Sequence, residues 1–282
     1  MSTYNAPAAG MVEHRPYIVG SDLRRFWNLT WTLATTDWKL RFYGSILGYV
    51  WTLARPFLFF GVIYLVFTEV VGLDDRVPNY GVYILFALVT FQFFAEATSG
   101  CLLSLVTREG LLRKIQFPRL VIPLSVVLTA IFNLVMTLVA VFIFTLASGV
   151  DPRWSWLELP FLLAIIAVLA TGVGLIISSL YVRYRDVQPI WEVVSQMLWY
   201  ASPILYVSTL VPENLQAAYQ LNPIASVLAQ IRHAVIDPNA PSAAELIGGS
   251  ARLLIPAGIV VGLFALGLWI FSREAPRIAE HL

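Results

Sequence analysis

LVIPLSVVLTAIFNLVMTLVAVFIFTLA, Leu120–Ala147, carries no charged side chain from end to end. A helix needs about 20 mostly apolar residues to cross a bilayer, so this stretch is long enough by itself. Two more uncharged stretches follow it, Leu159–Val182 and Leu253–Phe271. Upstream, Tyr49–Val71 and Val82–Val106 are as apolar apart from Arg55 and Glu69 in the former and Glu96 in the latter. A shorter sixth, Ile190–Val207, has Glu192 near its start. In lipid the backbone must satisfy its own hydrogen bonds, which leaves helices or closed barrels as spanning forms. The expected fold is an all-α membrane protein with six transmembrane helices and both termini on one side.

Composition points the same way. Hydrophobic residues make up 59% of the chain and charged ones 12%, against roughly 45–50% and 25% in a soluble domain. A net charge of +1 gives no footing for nucleic acid. Cys101, the only cysteine, sits inside an apolar run, so neither a disulfide framework nor a zinc cluster can be built within one chain. His14, His233 and His281 fall in a tail, an external segment and the other tail, which offers no metal spacing and no Ser-His-Asp triad. The phosphate loop G-x-x-x-x-G-K-[ST] is missing too, because Lys39 and Lys114 follow Trp38 and Arg113 rather than glycine. The expectation is a non-catalytic chain with no cofactor of its own.

The basic residues orient the bundle. With the termini inside, thirteen Lys and Arg lie on the cytoplasmic side, while only Arg76, Arg153, Arg232 and Arg252 lie outside. That is a positive-inside bias. Met1–Gly20 lacks the apolar core of a secretory signal and is expected to be a cytoplasmic tail.

Two segments are neither spans nor plain loops. Between Ser21 and Tyr43, Leu23, Phe26, Trp27, Trp31, Ala34 and Trp38 share one helical face, with Arg25 and Lys39 roughly opposite. That pattern suits an amphipathic helix at the membrane interface, capped by Ser21, or else a helix packed on another part of the protein. Asp37 lies near its apolar face. The second segment, Ser208–Arg252, is external; its run Pro223–Ile236 is too short to cross, so re-entrant or interfacial helices, or a plain external cap, are expected.

Buried charges are few. Glu96 lies near the middle of its stretch, where a carboxylate costs about 2.5–3.5 kcal/mol on insertion scales, so it should face a helix, water or protein. Arg55 is near enough to the start of its span to snorkel or to meet an anionic head group. Phe57, Phe60, Tyr64 and Phe67 share a face of the first span, and Trp191, Trp199, Tyr200 and Tyr206 fall in or just after the fifth. They suit stacking against sugar rings, or core packing and interfacial belts.

Lys39-Leu-Arg-Phe-Tyr-Gly-Ser-Ile-Leu-Gly-Tyr-Val-Trp51, closing with Pro56, resembles the approach to the first span in permeases of bacterial polysaccharide export by ATP-binding-cassette transporters. Arg108-Glu-Gly-Leu-Leu-Arg-Lys-Ile-Gln-Phe-Pro-Arg119 resembles that family's link between spans two and three. Tyr184-Arg-Asp-Val187, Ala201-Ser-Pro-Ile-Leu-Tyr206 and Leu221-Asn-Pro223 resemble its fourth-to-fifth span region and outer gate. The likeness runs in order from about Asp22 to the C-terminus. Tyr43 departs from it, since relatives often carry a basic residue there.

The resemblance implies a homodimer in the bacterial inner membrane, bound on its cytoplasmic face by two copies of a separate ATPase that holds ATP and Mg. The cargo implied is an undecaprenyl-diphosphate-linked polysaccharide of O-antigen, teichoic acid or galactan type. Leu47 and Gly48 would border the lipid entrance, with Arg41 and Arg55 attracting the diphosphate. Phe57, Phe60, Tyr64, Trp191, Trp199 and Tyr200 would line the channel. Arg108, Leu111, Leu112, Arg113, Lys114 and Phe117 would form the coupling helix, and Ser202, Pro203, Asn222 and Pro223 the external gate. The expected organisation is a tail over 1–20, interface helix and entrance loop over 21–48, and a permease domain over 49–282 with the gate segment at 208–252. A secondary transporter, or an exporter of another lipid or a drug, is the alternative. A coupled carrier should show paired broken helices in two related halves, and no such repeat is seen.

Overall fold

The computed structural model describes residues 23–42, 46–72, 77–114 and 118–275, except the side chains at 42, 46, 47, 49, 50, 52, 53 and 112–114. The expected tail, the Ser21 cap, Tyr43 and Phe117 lie outside the described residues, and of Leu47, Leu112, Arg113 and Lys114 only the backbone is described. Among the described residues every regular element is helical.

Helix α1 (Leu23–Phe42) precedes α2 (Ile46–Leu65), which runs on through a π turn to Val70. Next come α3 (Tyr80–Thr107), the short α4 (Glu109–Lys114), α5 (Val121–Ala147) and α6 (Glu158–Arg183). Then follow α7 (Val187–Tyr200), α8 (Glu213–Tyr219), α9 (Pro223–Ile231) with its π turn Arg232–Ile236, α10 (Ala243–Ile247) and α11 (Leu254–Glu274).

Four helical stretches are long and apolar enough to cross a membrane: Tyr80–Thr107, Val121–Ala147, Trp154–Arg183 and Ser250–Glu274. They coincide with four of the six expected spans. The expected first span is helical from Ile46 to Val70. The expected fifth is cut short: α7 has 14 residues, about 21 Å at 1.5 Å per residue, against a hydrocarbon thickness of about 30 Å. Pro203 explains the break, since it has no N–H to continue the helix and disfavours helical geometry at Ser202.

α3 is the axis. Of its most apolar window 78% is buried, against 17% for α11, and its buried residues run all around the helix, as befits a helix surrounded by protein. α5 and α6 flank it.

Small residues set the spacing of the frame. A Cβ at Gly267 of α11 would stand 2.4 Å from the Gly172 carbonyl oxygen of α6, and one at Gly172 would stand 2.7 Å from the Phe264 backbone. Helices in lipid associate through such close backbone approach, because apolar burial alone does not separate helix from lipid. Likewise a Cβ at Gly174 would come within 2.9 Å of the Cys101 sulfur, so Cys101 is a buried packing residue beneath α6.

Gly267→Leu should therefore force α6 and α11 apart, at a cost of about 1–3 kcal/mol or more. Thermal unfolding of the detergent-purified protein should shift down clearly for Gly267→Leu and little for Gly262→Leu, where a Cβ meets nothing. Equal shifts for the two would refute the close contact.

Candidate functional site

Two polar features interrupt the apolar bundle. The first is a seam beneath α1. α1 packs lengthwise on α5, with Thr30 and Ala34 buried and small enough to let the helices approach. Thr129 of α5 donates to the Ala34 carbonyl at 3.3 Å, and Trp31 and Trp38 set their rings edge-on to Phe132. α1 is thus packed on the protein along one side, while Trp27 and Trp31 on its flank are exposed.

The seam answers the question of Glu96. Its Oε1 accepts from Arg41 Nη1 at 2.5 Å and from Asn133 Nδ2 at 2.7 Å. Trp38 Nε1 donates to Asn133 Oδ1 at 3.1 Å. An indole nitrogen can only donate and a carboxylate can only accept, so these two partners fix which way the Asn133 amide points. Trp38 and Arg41 stand three residues apart on α1 and share a face, so one helix supplies both ends of the relay.

Depth along the bundle also becomes measurable. Tyr64 of α2 packs on Gly81 at the start of α3, where a Cβ would come within 2.8 Å of its ring. Glu96 lies fifteen residues further along α3, about 22 Å. Glu96 thus stands within a few residues of the midpoint of α3, which runs from Tyr80 to Thr107.

Arg108, directly after α3, bonds Asp37 of α1 and the Ser125 hydroxyl of α5. Asp37, out of place on an apolar face, is thus the anchor of α1. Of the expected coupling residues, Arg108 is turned into the seam and Leu111 is half-buried on α4.

The second feature is the outer break. Beyond α7 the chain leaves helical geometry, and phenols of α3 take up the freed carbonyls. Tyr80 donates to the Leu205 oxygen at 2.5 Å, and Tyr83 donates to those of Pro203 and Tyr206. Asn222 bonds the Ser202 hydroxyl at 3.0 Å, while its own side-chain oxygen caps α9 at Ile224, with Pro223 in the first turn. Ser202, Pro203, Asn222 and Pro223 therefore do come together. The Tyr206 and Tyr219 hydroxyls lie 2.8 Å apart; burial, and then this bond, push the Tyr219 phenol above its ordinary pKa. The Pro223–Ile236 run is buried beside α6, and Ser155 and Trp156 cover the Ala234 and Val235 carbonyls of its π turn.

The expected channel residues form separate groups. Phe60 is buried, stacked on Tyr64 and edge-on to Phe144 of α5, with Phe57 and Tyr64 half-buried beside it. Trp191 is buried against Phe94 of α3. Trp199 meets Tyr200 edge-on at the end of α7, where Tyr200 is 61% exposed. Among the described residues no ring pair joins the α2 group to the α7 group. Arg55 is exposed.

Comparison with known proteins decides the family. The model of the ABC-2 type transporter family matches residues 28–236. The chain belongs to that family. It is 32% identical over 262 residues to the O-antigen export system permease protein RfbA of Klebsiella pneumoniae, covering 93% of this chain and 97% of that protein. It is 28% identical over 263 residues to the protein of the same description from Myxococcus xanthus, covering 93% and 98%. The matched region takes in both the seam and the outer break.

The Asp37 to Arg108 pair generates a prediction. In a thermal-stability double-mutant cycle, Asp37→Asn and Arg108→Gln should show a coupling energy of about 0.5–3 kcal/mol, as contacting residues do. Strictly additive effects would remove the anchor.

Proposed function

We propose that the chain is the permease of an ATP-driven exporter that carries an O-antigen-type polysaccharide, linked to undecaprenyl diphosphate, outward across the bacterial inner membrane. The observation that carries this is the match to O-antigen export permeases over 93% of the chain, within a family whose ABC transporters divide labour between a membrane subunit and an ATPase. The absent phosphate loop fits that division. Teichoic acid and galactan are cargoes of the same class.

The working unit is a homodimer of six-span subunits with both termini in the cytoplasm and two ATPase copies beneath it. α4, with Leu111, Leu112, Arg113, Lys114 and the following Phe117, docks on the ATPase. Arg41, Leu47, Gly48 and Arg55 form the lipid entrance, and two guanidinium groups are suited to a diphosphate because their planar forks match phosphate oxygens. Aromatic rings from α2 and α7 are the sugar-stacking surfaces. The break at Ser202-Pro203, tied to Asn222-Pro223, is the outer gate. Its bonds are hydroxyl and amide contacts, which exchange with water or sugar hydroxyls at little net cost.

Purification with native partners should bring down an ATP-hydrolysing subunit; its absence defeats the proposal. The Arg113→Glu, Lys114→Glu double variant should weaken that association while the permease still assembles. In the same preparation Tyr64→Ala and Trp199→Ala should lower glycan export without loss of assembly, and normal export by both would take those rings out of the channel.

A further inference from the structure

We propose that Glu96 is an internal stand-in for the anionic head group of the transported lipid, holding Arg41 at rest and giving it up to a diphosphate at the entrance. Glu96 thereby sets how strongly an anionic lipid must bind to free Arg41. The inference rests on the diphosphate reading given above.

The geometry of the pair is that of an exchangeable contact. Arg41 meets Glu96 through one nitrogen and one oxygen, although the two groups are capable of a two-pronged fork. Among the described residues Arg41 thus commits one of its five N–H donors. Its side chain is 48% exposed and that of Glu96 30%, so an incoming anion can reach the guanidinium from the open side.

Releasing Arg41 does not strand the carboxylate. Asn133 Nδ2 bonds the same oxygen at 2.7 Å, and Asn133 is itself held by Trp38. A carboxylate that loses its only partner in a low-dielectric site is heavily penalised. Glu96 keeps an amide donor and partial exposure, so the exchange replaces one ion pair by another and leaves the relay in place.

Position and chemistry agree with this role. Arg41 lies in the last turn of α1, just before the helix that carries Gly48, so the pair stands beside the entrance segment named above. A diphosphate has more charge and more acceptor oxygens than a single carboxylate, and it can engage the whole guanidinium fork. A lipid with one phosphate has less to offer and competes less well against Glu96.

The test uses the permease with its ATPase subunit in lipid nanodiscs. Binding is measured for polyprenyl diphosphate, polyprenyl monophosphate and the uncharged polyprenol. Glu96→Gln keeps an oxygen for Asn133 and removes the charge. It should bind the diphosphate about fivefold more tightly, the scale of an ion pair that is partly exposed. It should bind the monophosphate more tightly by about the same factor, because both anions meet the same competitor, and leave polyprenol binding unchanged. Arg41→Gln should weaken the preference of both anions over polyprenol, leaving the part due to Arg55, and adding Glu96→Gln to it should restore nothing. Glu96→Asp, which draws the carboxylate away from Arg41, should move in the same direction as Glu96→Gln and serves if that variant does not fold. Unchanged or weaker diphosphate binding in the Glu96 variants, with wild-type binding intact, overturns the stand-in role alone. Wild-type protein that binds the diphosphate no better than polyprenol overturns the diphosphate reading and this inference with it.

Discussion

A carboxylate on the most buried helix of an apolar bundle must be neutralised, and the seam beneath α1 is arranged around that requirement. Glu96 stands on α3. Its insertion cost, about 2.5–3.5 kcal/mol if unpartnered, is offset by an amide from α5 and a guanidinium from α1. Those two bonds determine where α1 lies. With Asp37 tied to Arg108 one turn away, the helix is pinned along α5 and cannot rotate without breaking both pairs. The exposed flank with Trp27 and Trp31 follows from that fixed rotation.

The break after α7 obeys the same rule applied to backbone instead of side chain. Irregular backbone at membrane depth survives only where protein satisfies it, and Pro203 makes irregular backbone unavoidable. Tyr80 and Tyr83 supply the missing donors from α3, and Asn222 ties the break to α9. α3 is thus the common partner of both features, giving an acid at one level and phenols at another. Its near-complete burial is a consequence of having to serve both ends.

Much of this was legible in the sequence wherever a single physical rule decided the outcome. Leu120–Ala147, Leu159–Val182 and Leu253–Phe271 read as long helices because uncharged length suffices, whereas the expected span Ile190–Val207 stops at Tyr200, where Pro203 removes a donor. What pattern could not supply was partnership. Asp37 looked like a flaw on an apolar face, although a misplaced acid is the residue most in need of a distant base, and Arg108 lies 71 positions away. Asn133 was invisible within an uncharged stretch, yet a lone amide there was the natural complement of a lone carboxylate on the neighbouring span. The tyrosines of α3 gave no signal, since phenols at a helix start read equally as an interfacial belt. Of the stripe Phe57, Phe60, Tyr64 and Phe67, Phe60 and Tyr64 stack on each other, but periodicity cannot say whether that face meets helices or a passage.

The two kinds of contact also divide the molecule mechanically. α6 and α11 touch backbone to backbone at Gly172 and Gly267, an interface with no side chain to rearrange, so sliding it costs packing that nothing replaces. The seam under α1 is held by partly exposed ion pairs and single hydrogen bonds, each worth about 1 kcal/mol or less when water or head groups can substitute. Segments of low local stability are where conformational change concentrates. The frame formed by α3, α6 and α11 is therefore the stationary part. α1 is the element whose position a modest binding energy can reset, and it touches α3 at Glu96 and the residue preceding α4 at Arg108. Competition for Arg41 and a displacement of α4 through Arg108 would then act on the same stretch of α1, one turn apart.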